Sequence, residues 1–355
     1  MIYLDYQATT PLAPEAFDAM LPWLREGHAN PHSQHAPGRA AKAAVEVARG
    51  HVLKLLPKGK LAFTSGATEA LNWAIQGTRG PIVTIATEHA AVLDTVAAEA
   101  ARGRAVTVLP VDPQGLVDLE AARAAIVPGT GLVAAMLVNN EIGVIQPIAE
   151  LAALTRAAGA KLLVDAVQGF GRVPVPPADF IAVSAHKIHG PKGIGALWFR
   201  EVPPAALLHG GGQEPERSGT LSPALCAGFG AAAKLAGARF EADAAHVERL
   251  FGIARQALGP GWTINGSPDQ RYRGNLNLRR SGLDVARLIS ELRDIAFSAG
   301  AACASGSGRA SHVLRALGLS DTQARSSLRL GFGRYTREEK LMEAIERINA
   351  AAARQ

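Results

Sequence analysis

Cysteine is scarce in this chain: its 355 residues contain only Cys226 and Cys303, far apart in the sequence. A disulfide framework needs more cysteines and a cysteine-based metal site needs closely spaced ones, so we expect neither. Cys226 lies within an apolar helical pattern, which is typical of a small buried residue. Cys303 lies among small, loop-forming residues and is the better candidate for a functional thiol.

Long apolar runs and clusters of basic residues are also missing. No window approaches the roughly 18 uninterrupted apolar residues of a membrane span, and no charged leader followed by an apolar stretch opens the chain. The net charge of +6 would attract anions, nucleic acid included, but the basic residues are scattered rather than clustered. We therefore expect a cytoplasmic protein that binds neither membranes nor nucleic acid.

Aromatic residues make up only 5% and charged residues 19%, whereas hydrophobic residues reach 48%. This composition argues against disorder and favours an ordered globular protein. The length allows a large buried core and two packed domains.

Short β-branched segments alternate with alanine-rich helical patterns between residues 60 and 200. The predicted strands are 61–65, 81–86, 105–111, 132–138, 161–167, 180–184 and 195–199. The predicted helices between them are 68–76, 90–101, 119–126 and 148–158. This alternation predicts an α/β fold with a mostly parallel central sheet.

The later part of the chain has a different pattern. A helical stretch at 223–257, with an interruption near Gly237, precedes strands at 274–280 and 327–332 and helices at 285–293, 314–317 and 338–352. We expect a large domain at 15–245 and a smaller α+β domain formed by 1–14 and 246–355.

The predicted strands place polar residues on one edge of the sheet. Because the carboxyl ends of parallel strands meet at one rim, we expect Ser65, Asn140, Asp165 and Ser184 to lie close together. Lys187 follows the strand that ends at Ser184. A lysine here is often a surface residue, and an aspartate such as Asp165 is often only a turn or cap residue, so neither identifies a function alone.

Two helix starts add candidate binding groups. The segment 65–69 runs from a strand through Gly66 into a helix, where free amides and the helix dipole favour an anion such as a phosphate. His89 opens another helix and could lie flat over a planar ring, although a histidine there is commonly a capping residue.

Together these segments resemble, in order and wording, the fold-type-I pyridoxal-phosphate enzymes, and among them the NifS/IscS-like cysteine desulfurases of the class V aminotransferase family. The matching segments are YLDYQATTP at 3–11, NPHS at 30–33, SGATE at 65–69, TEH at 87–89, VNNEIG at 138–143, DAVQ at 165–168, HKIHGPKGIG at 186–195, RSGT at 217–220 and the loop around Cys303. The resemblance covers nearly the whole chain.

The resemblance implies a role for each matched residue. Lys187 would hold pyridoxal 5'-phosphate as an imine, Asp165 would pair with the ring nitrogen, and His89 would stack on the ring. The remaining implied contacts are Gln168 and Asn140 with the phenolic oxygen or the substrate; Ala67, Thr68, Ser184 and His186 with the phosphate; and Thr220 with the phosphate of the partner subunit in a homodimer. Arg325 would grip the substrate carboxylate, with Arg329 and Arg334 as fallback candidates.

The implied reaction converts L-cysteine to L-alanine and leaves the sulfur on Cys303 as a persulfide, for delivery to an acceptor protein. Lys187 and His89 would move protons. A selenocysteine lyase or class V aminotransferase is the nearest alternative, and a nonenzymatic sulfur carrier a further one.

Two departures from the family pattern stand out. Only Pro215 and Glu216 separate Glu214 from Arg217, so the segment before Thr220 is shorter than expected. Ala301 and Ala304 replace hydroxyl residues beside Cys303.

Overall fold

The computed structural model describes residues 1–300 and 311–355. The helices in these ranges are α1 (Pro14–Arg25), α2 (Ala36–Leu53), α3 (Ala67–Gln76), α4 (Ala90–Ala101), α5 (Leu119–Ala125), α6 (Ile148–Ala157), α7 (Pro223–Ala238), α8 (Phe240–Leu258), α9 (Val285–Glu291), α10 (His312–Ala316), α11 (Asp321–Arg325) and α12 (Glu338–Ala352). The strands are β1 (Ile2–Tyr3), β2 (Lys60–Thr64), β3 (Ile82–Ile85), β4 (Val106–Leu109), β5 (Leu132–Met136), β6 (Lys161–Asp165), β7 (Phe180–Ser184), β8 (Gly195–Phe199), β9 (Thr263–Ile264), β10 (Asn275–Arg279), β11 (Ile295–Ala296), β12 (Ser298–Ala299) and β13 (Ser327–Gly331).

A seven-stranded sheet organises residues 60–199, in the order β2-β8-β7-β6-β5-β3-β4. The pairs β3–β4, β3–β5, β5–β6 and β6–β7 are parallel, whereas β8 runs antiparallel to both of its neighbours. Every residue of β5, β7 and β8 is buried. Such continuous apolar strands are typical of a sheet covered on both faces.

Helices cover the two faces of this sheet. On one face, α1, α2 and α7 pack with residues such as Phe63 and Val133; on the other, α3 and α4 pack with residues such as Leu132. A Cβ on Gly230 of α7 would lie 2.5 Å from the Cα of Ala48 in α2, so a glycine is needed for this close helix contact.

A second core forms around the antiparallel sheet β12-β13-β10-β9. Helices α8, α9 and α12 pack on it, and Ile2 and Leu4 join the same core from the start of the chain. The N-terminal segment is held there by parallel pairing of β1 with β11. The predicted boundary at 245/246 falls within α8, and the division into two domains stays a prediction.

The predicted alternation of strands and helices is confirmed, with 180–184, 195–199 and 90–101 matching β7, β8 and α4 to the residue. The interrupted helical stretch at 223–257 forms α7 and α8, which are separated at Arg239. Helices α1 and α2 were not predicted. Across residues 1–300 and 311–355, every helix is too short or too polar to span a bilayer.

Candidate active site

A cavity of about 470 Å³ opens at the carboxyl ends of β2, β5, β6 and β7. The structure brings Ser65, Asn140, Asp165 and Ser184 together on its wall, as the strand assignments predicted. The other residues that line it include Gln7, Ala8, Gly66, Ala67, Thr68, His89, Gln168, His186, Lys187, Lys192, Gly193 and Arg329.

Lys187 ends a 3₁₀ turn, Ala185–Lys187, which directly follows β7. Its Nζ donates hydrogen bonds to the carbonyls of Gln7, at 2.5 Å, and Ala8, at 2.7 Å. The segment that supplies these carbonyls is fixed to the same turn, because Thr10 donates to the carbonyl of His186 from both its amide and its hydroxyl. Residues 7 and 8 therefore complete the lysine site, a role that the sequence analysis did not assign to them.

Asp165 ends β6 and is only 5% exposed. Its Oδ1 accepts a hydrogen bond from the amide of Val167 at 2.9 Å, and no salt bridge among the described residues includes it. Burial raises the pKa of Asp165, while the nearby His89 and Lys187 lower it. A buried carboxylate of this kind needs a cation or donor opposite it, which the cavity has room to hold.

His89 is the N-cap of α4, and its Nδ1 accepts a hydrogen bond from the amide of Ala91 at 3.0 Å. The neutral ring therefore carries its proton on Nε2. Burial lowers the pKa of His89, and the charge of Asp165 only partly opposes this effect. His89 is consequently a neutral donor near pH 7.

Glu88 is a fully buried carboxyl group that sequence reasoning missed. Its Oε1 accepts from the amide of Met136 at 2.6 Å, and Oε2 has no hydrogen-bond partner among the described residues. Burial and then the charge of Asp165 raise the pKa of Glu88 well above its usual value. The two carboxyl groups therefore each disfavour ionisation of the other, and His89 and Lys187 favour the charged form of Asp165.

The start of α3 forms another part of the cavity wall. Gly66 is the N-cap without a side-chain cap, so the first amides of the helix remain available to an anion. A Cβ on Gly195 would lie 2.8 Å from the amide nitrogen of Ala67, so only a glycine lets β8 approach this turn.

His186 and Ser184 also line the cavity. The Nδ1 of His186 lies 3.1 Å from the hydroxyl of Thr9, and burial, with Lys187 and Lys192 nearby, lowers the pKa of His186 to about 4. A neutral imidazole and a hydroxyl can both donate to a phosphate without adding charge.

Gln168 and Asn140 line the side of the cavity. The side-chain amide of Gln168 donates from Nε2 to the Gln7 carbonyl at 2.9 Å and accepts at Oε1 from Arg172 at 2.8 Å. The orientation of this side chain is therefore fixed. The carbonyl of Asn140 accepts from Arg329 at 3.0 Å.

The expected place of Arg325 needs correction. Arg325 is exposed at the end of α11 and does not line the cavity. The strand that reaches the rim, β13, begins two residues later. Arg329, from the middle of β13, lines the cavity with a side chain 3% exposed. Its Nη2 pairs with Asp5 at 2.8 Å, and its Nε is buried with no partner among the described residues. Arg334 lies in a separate small cavity.

Thr220, like Arg325, is not among the residues that line the cavity. Thr220 is exposed, although the same segment is tied to the site because Arg217 pairs with Glu69 of α3 at 2.8 Å. Cys303 lies outside the described residues.

Known proteins resemble this chain over nearly its full length. The family described as aminotransferase class-V matches residues 2–343. Cysteine desulfurase IscS of Rickettsia bellii is 43% identical, over 98% of this chain and 90% of the relative. Among solved structures, a NifS-like protein superposes with a TM-score of 0.92 at 30% identity, covering 100% of both chains, and SspA in complex with cysteine with a TM-score of 0.86 at 30% identity, covering 95% of this chain and 100% of that one.

The chain belongs to the class-V aminotransferase family, whose members are pyridoxal-phosphate enzymes of fold type I. The residues on the cavity wall fit that cofactor. They provide an amine at Lys187, a buried carboxylate without an ion-pair partner in the described ranges at Asp165, and uncapped amides at the start of α3.

Proposed function

We propose that the protein is a cysteine desulfurase, which converts L-cysteine to L-alanine and transfers the sulfur to Cys303 as a persulfide. The observation that carries the proposal is that Lys187 and Asp165 lie on the wall of one cavity together with the cation of Arg329. The likeness to IscS of Rickettsia bellii supports the same reaction.

Lys187, Asp165 and His89 are the residues that would hold the ring of pyridoxal phosphate. The bound cofactor supplies an electron sink for the negative charge that develops at the substrate α-carbon. Asp165 would keep the ring nitrogen protonated. Burial raises the pKa of Asp165, whereas His89 and Lys187 lower it, so a cation against the carboxyl group permits the charged form. His89 would stack on the ring, and Gln168 and Asn140 would contact its phenolic oxygen or the substrate.

The phosphate would lie at the start of α3. The amides of Ala67 and Thr68, the hydroxyl of Ser184 and the neutral ring of His186 would donate to it. We further propose that Thr220 of the partner subunit completes this site in a homodimer; the exposure of Thr220 is compatible with that role.

Arg329 would bind the carboxylate of L-cysteine. Arg329 lines the cavity, its buried Nε has no hydrogen-bond partner among the described residues, and its planar group suits bidentate recognition of a carboxylate. Arg325 is not proposed for this role.

Lys187 and Cys303 would then divide the chemistry. Lys187 would hold the cofactor through Nζ and, once the substrate amine has taken its place, would accept the α-proton at Nζ. The Cys303 thiolate attacks the substrate sulfur: an S–S bond forms and the C–S bond breaks. The electron pair of the broken bond stays with carbon, which takes a proton and becomes the methyl group of alanine, so the transfer needs no external oxidant.

The central test measures alanine and sulfide together, with cysteine as substrate and a thiol reductant present. We expect equal amounts from the wild type, a loss of at least ~100-fold in Cys303→Ala, and near wild-type rates in Cys226→Ala, because Cys226 is buried away from the cavity. Full activity of Cys303→Ala would exclude the persulfide on Cys303, whereas an aminotransferase would release neither alanine nor sulfide from cysteine.

The remaining alternatives have their own readouts. A yellow absorbance that borohydride bleaches, present in the wild type and absent from Lys187→Ala, separates an enzyme from a nonenzymatic sulfur carrier. Rates with selenocysteine and cysteine separate a selenocysteine lyase from a desulfurase.

Sulfur delivery to an acceptor protein for iron–sulfur cluster assembly is the role we propose in the cell, with a cytoplasmic location. Sedimentation of the purified protein tests the homodimer, and a weaker cofactor affinity of Thr220→Ala tests the contribution of the partner subunit's Thr220.

A further inference from the structure

A second, smaller cavity lies behind the lysine turn, between the two cores. It encloses about 40 Å³. A single water needs roughly 10–15 Å³ of such space, so a monatomic ion or a few waters would fit. Its wall combines the lysine turn (Lys187 and His189), Arg172, the start of α8 with Asp243, and Arg334.

The charges on this wall do not balance. Arg334 and Arg172 contribute two guanidinium groups, and Asp243 is the one carboxylate among the described lining residues. That carboxylate is already shared, because its Oδ2 accepts from Nε and Nη2 of Arg334, at 2.8 and 2.6 Å, and its Oδ1 accepts from Arg239 at 3.2 Å. Between the two guanidinium groups and this carboxylate, one positive charge is therefore left without a counter-charge.

Arg334 also has an unused donor. Its side chain is 6% exposed, and Nη1 is buried with no hydrogen-bond partner in the described ranges. The ring of Tyr335, 6.0 Å from the guanidinium carbon, offers no hydrogen-bond acceptor beyond its π face. A buried charged donor without an acceptor is costly unless a ligand or ion meets it.

Arg172 adds a second guanidinium charge to the same wall. Its guanidinium donates to the Gln168 side chain and to the Lys187 carbonyl, both of them neutral acceptors. Burial lowers the pKa of Arg172, and the charge of Arg334 lowers it further, as expected for two cations that repel across a small space. His189 brings no charge, because burial lowers its pKa to about 4.

We propose that this cavity binds a small inorganic monovalent anion of the halide class, with chloride as the occupant, held by Nη1 of Arg334 and the charge of Arg172. The anion supplies the counter-charge and the acceptor that the wall lacks, and it ties Gly333–Arg334 to the lysine turn. The small volume favours a monatomic ion over a larger anion. The site is independent of the proposed desulfurase activity.

The first test is thermal unfolding of the holoenzyme in sodium chloride and in sodium gluconate at equal ionic strength. Binding to the folded state alone raises the unfolding temperature, and we expect an increase of about 3 °C that saturates with chloride. Arg334→Met should abolish the increase. Arg347→Met is the matched control, because it breaks an exposed ion pair with Asp294 and should keep the chloride response.

Asp243→Asn makes the proposal testable even where Arg334→Met does not fold. Removing the competing carboxylate leaves more positive charge on the wall, so chloride should act at a lower concentration than in the wild type. A higher concentration, or no chloride dependence in the wild type, would contradict the proposal.

A crystal of the holoenzyme soaked in bromide supplies the direct readout. We expect an anomalous peak within hydrogen-bond distance of Arg334 Nη1. Ordinary water density there, without anomalous signal, would overturn the proposal.

Discussion

Arg329 is oriented before any substrate arrives. Its Nη1 donates to the carbonyl of Asn140 and its Nη2 to Asp5 and Ser298, so little rotational freedom remains to be lost on binding. The adjacent strand residues are buried, which leaves the guanidinium fixed at the cavity wall.

Replacing this guanidinium should weaken substrate capture specifically. We expect Arg329→Lys to keep the charge but lose the planar fork, lowering kcat/KM for cysteine by about 30-fold through KM. Steady-state kinetics on purified variants measure this effect. Arg325→Gln, at an exposed position four residues earlier, should stay within about twofold of the wild type; the reverse pattern would restore Arg325 as the carboxylate ligand.

His189 makes stability depend on pH. Burial lowers its pKa to about 4 in the folded protein, whereas the unfolded chain takes up the proton near 6.5. The neutral ring therefore stabilises the fold above pH 6.5, and this contribution is lost as the pH falls towards 4.

We expect the free energy of unfolding to fall by on the order of 2 kcal/mol from this residue between pH 6.5 and 4. His189→Asn, which tolerates the positive φ of 69° at this position, should flatten that dependence in urea titrations. His32→Asn, at an exposed site, should leave it unchanged, and an equally steep profile in His189→Asn would assign the loss to other groups.

At the scale of single elements, the turn before α3 depends on a backbone contact with β8. A Cβ on Gly195 would lie 2.6 Å from the Val183 carbonyl and 2.7 Å from the Gly66 carbonyl carbon. These are rigid backbone atoms of a buried sheet, so the turn must shift to make room.

Gly195→Ala should therefore destabilise the protein by about 2 kcal/mol and weaken retention of pyridoxal phosphate. Gly252→Ala is the matched control: it lies within α8 with no atom within 4 Å of the added Cβ, and alanine should stabilise the helix by about 0.5–1 kcal/mol. Calorimetry and cofactor release on dilution give the two readouts, and equal effects of both substitutions would contradict this explanation.

Sequence patterns predicted the central elements well because β2–β8 and α3–α6 alternate apolar strands with helical periodicity. They missed α1 and α2, where the apolar positions belong to surfaces shared with the distant α7. They also missed Glu88, because a glutamate at a helix start is ordinarily exposed. They favoured Arg325 over Arg329, because only the register of β13 shows which arginine lies at the rim. The order of the motifs predicted which residues line the cavity, whereas the direction in which each side chain points followed only from the fold.

At the scale of the whole molecule, the large core protects the thiol of Cys226. Cys226 belongs to α7 and is fully buried in the core, and burial raises its pKa to about 12. Its thiol is therefore inert while that core is intact.

Alkylation should count one reactive thiol in the native protein and two after unfolding. We expect the Cys303→Ala variant to react with the alkylating reagent only in denaturant. The reaction should begin at the denaturant concentration at which circular dichroism shows loss of the fold. Native-state modification of Cys226 by mass spectrometry would show that the core opens without global unfolding.

The cavity is also assembled from both ends of the described chain: Asp5 and Arg329, 324 positions apart, meet beside it, and residues 7 and 8 face Lys187. During synthesis the first strands of the large sheet can form while β13 is still untranslated. The nascent polypeptide thus lacks a finished cavity wall until β13 has emerged from the ribosome, which delays cofactor capture beyond synthesis of the large sheet.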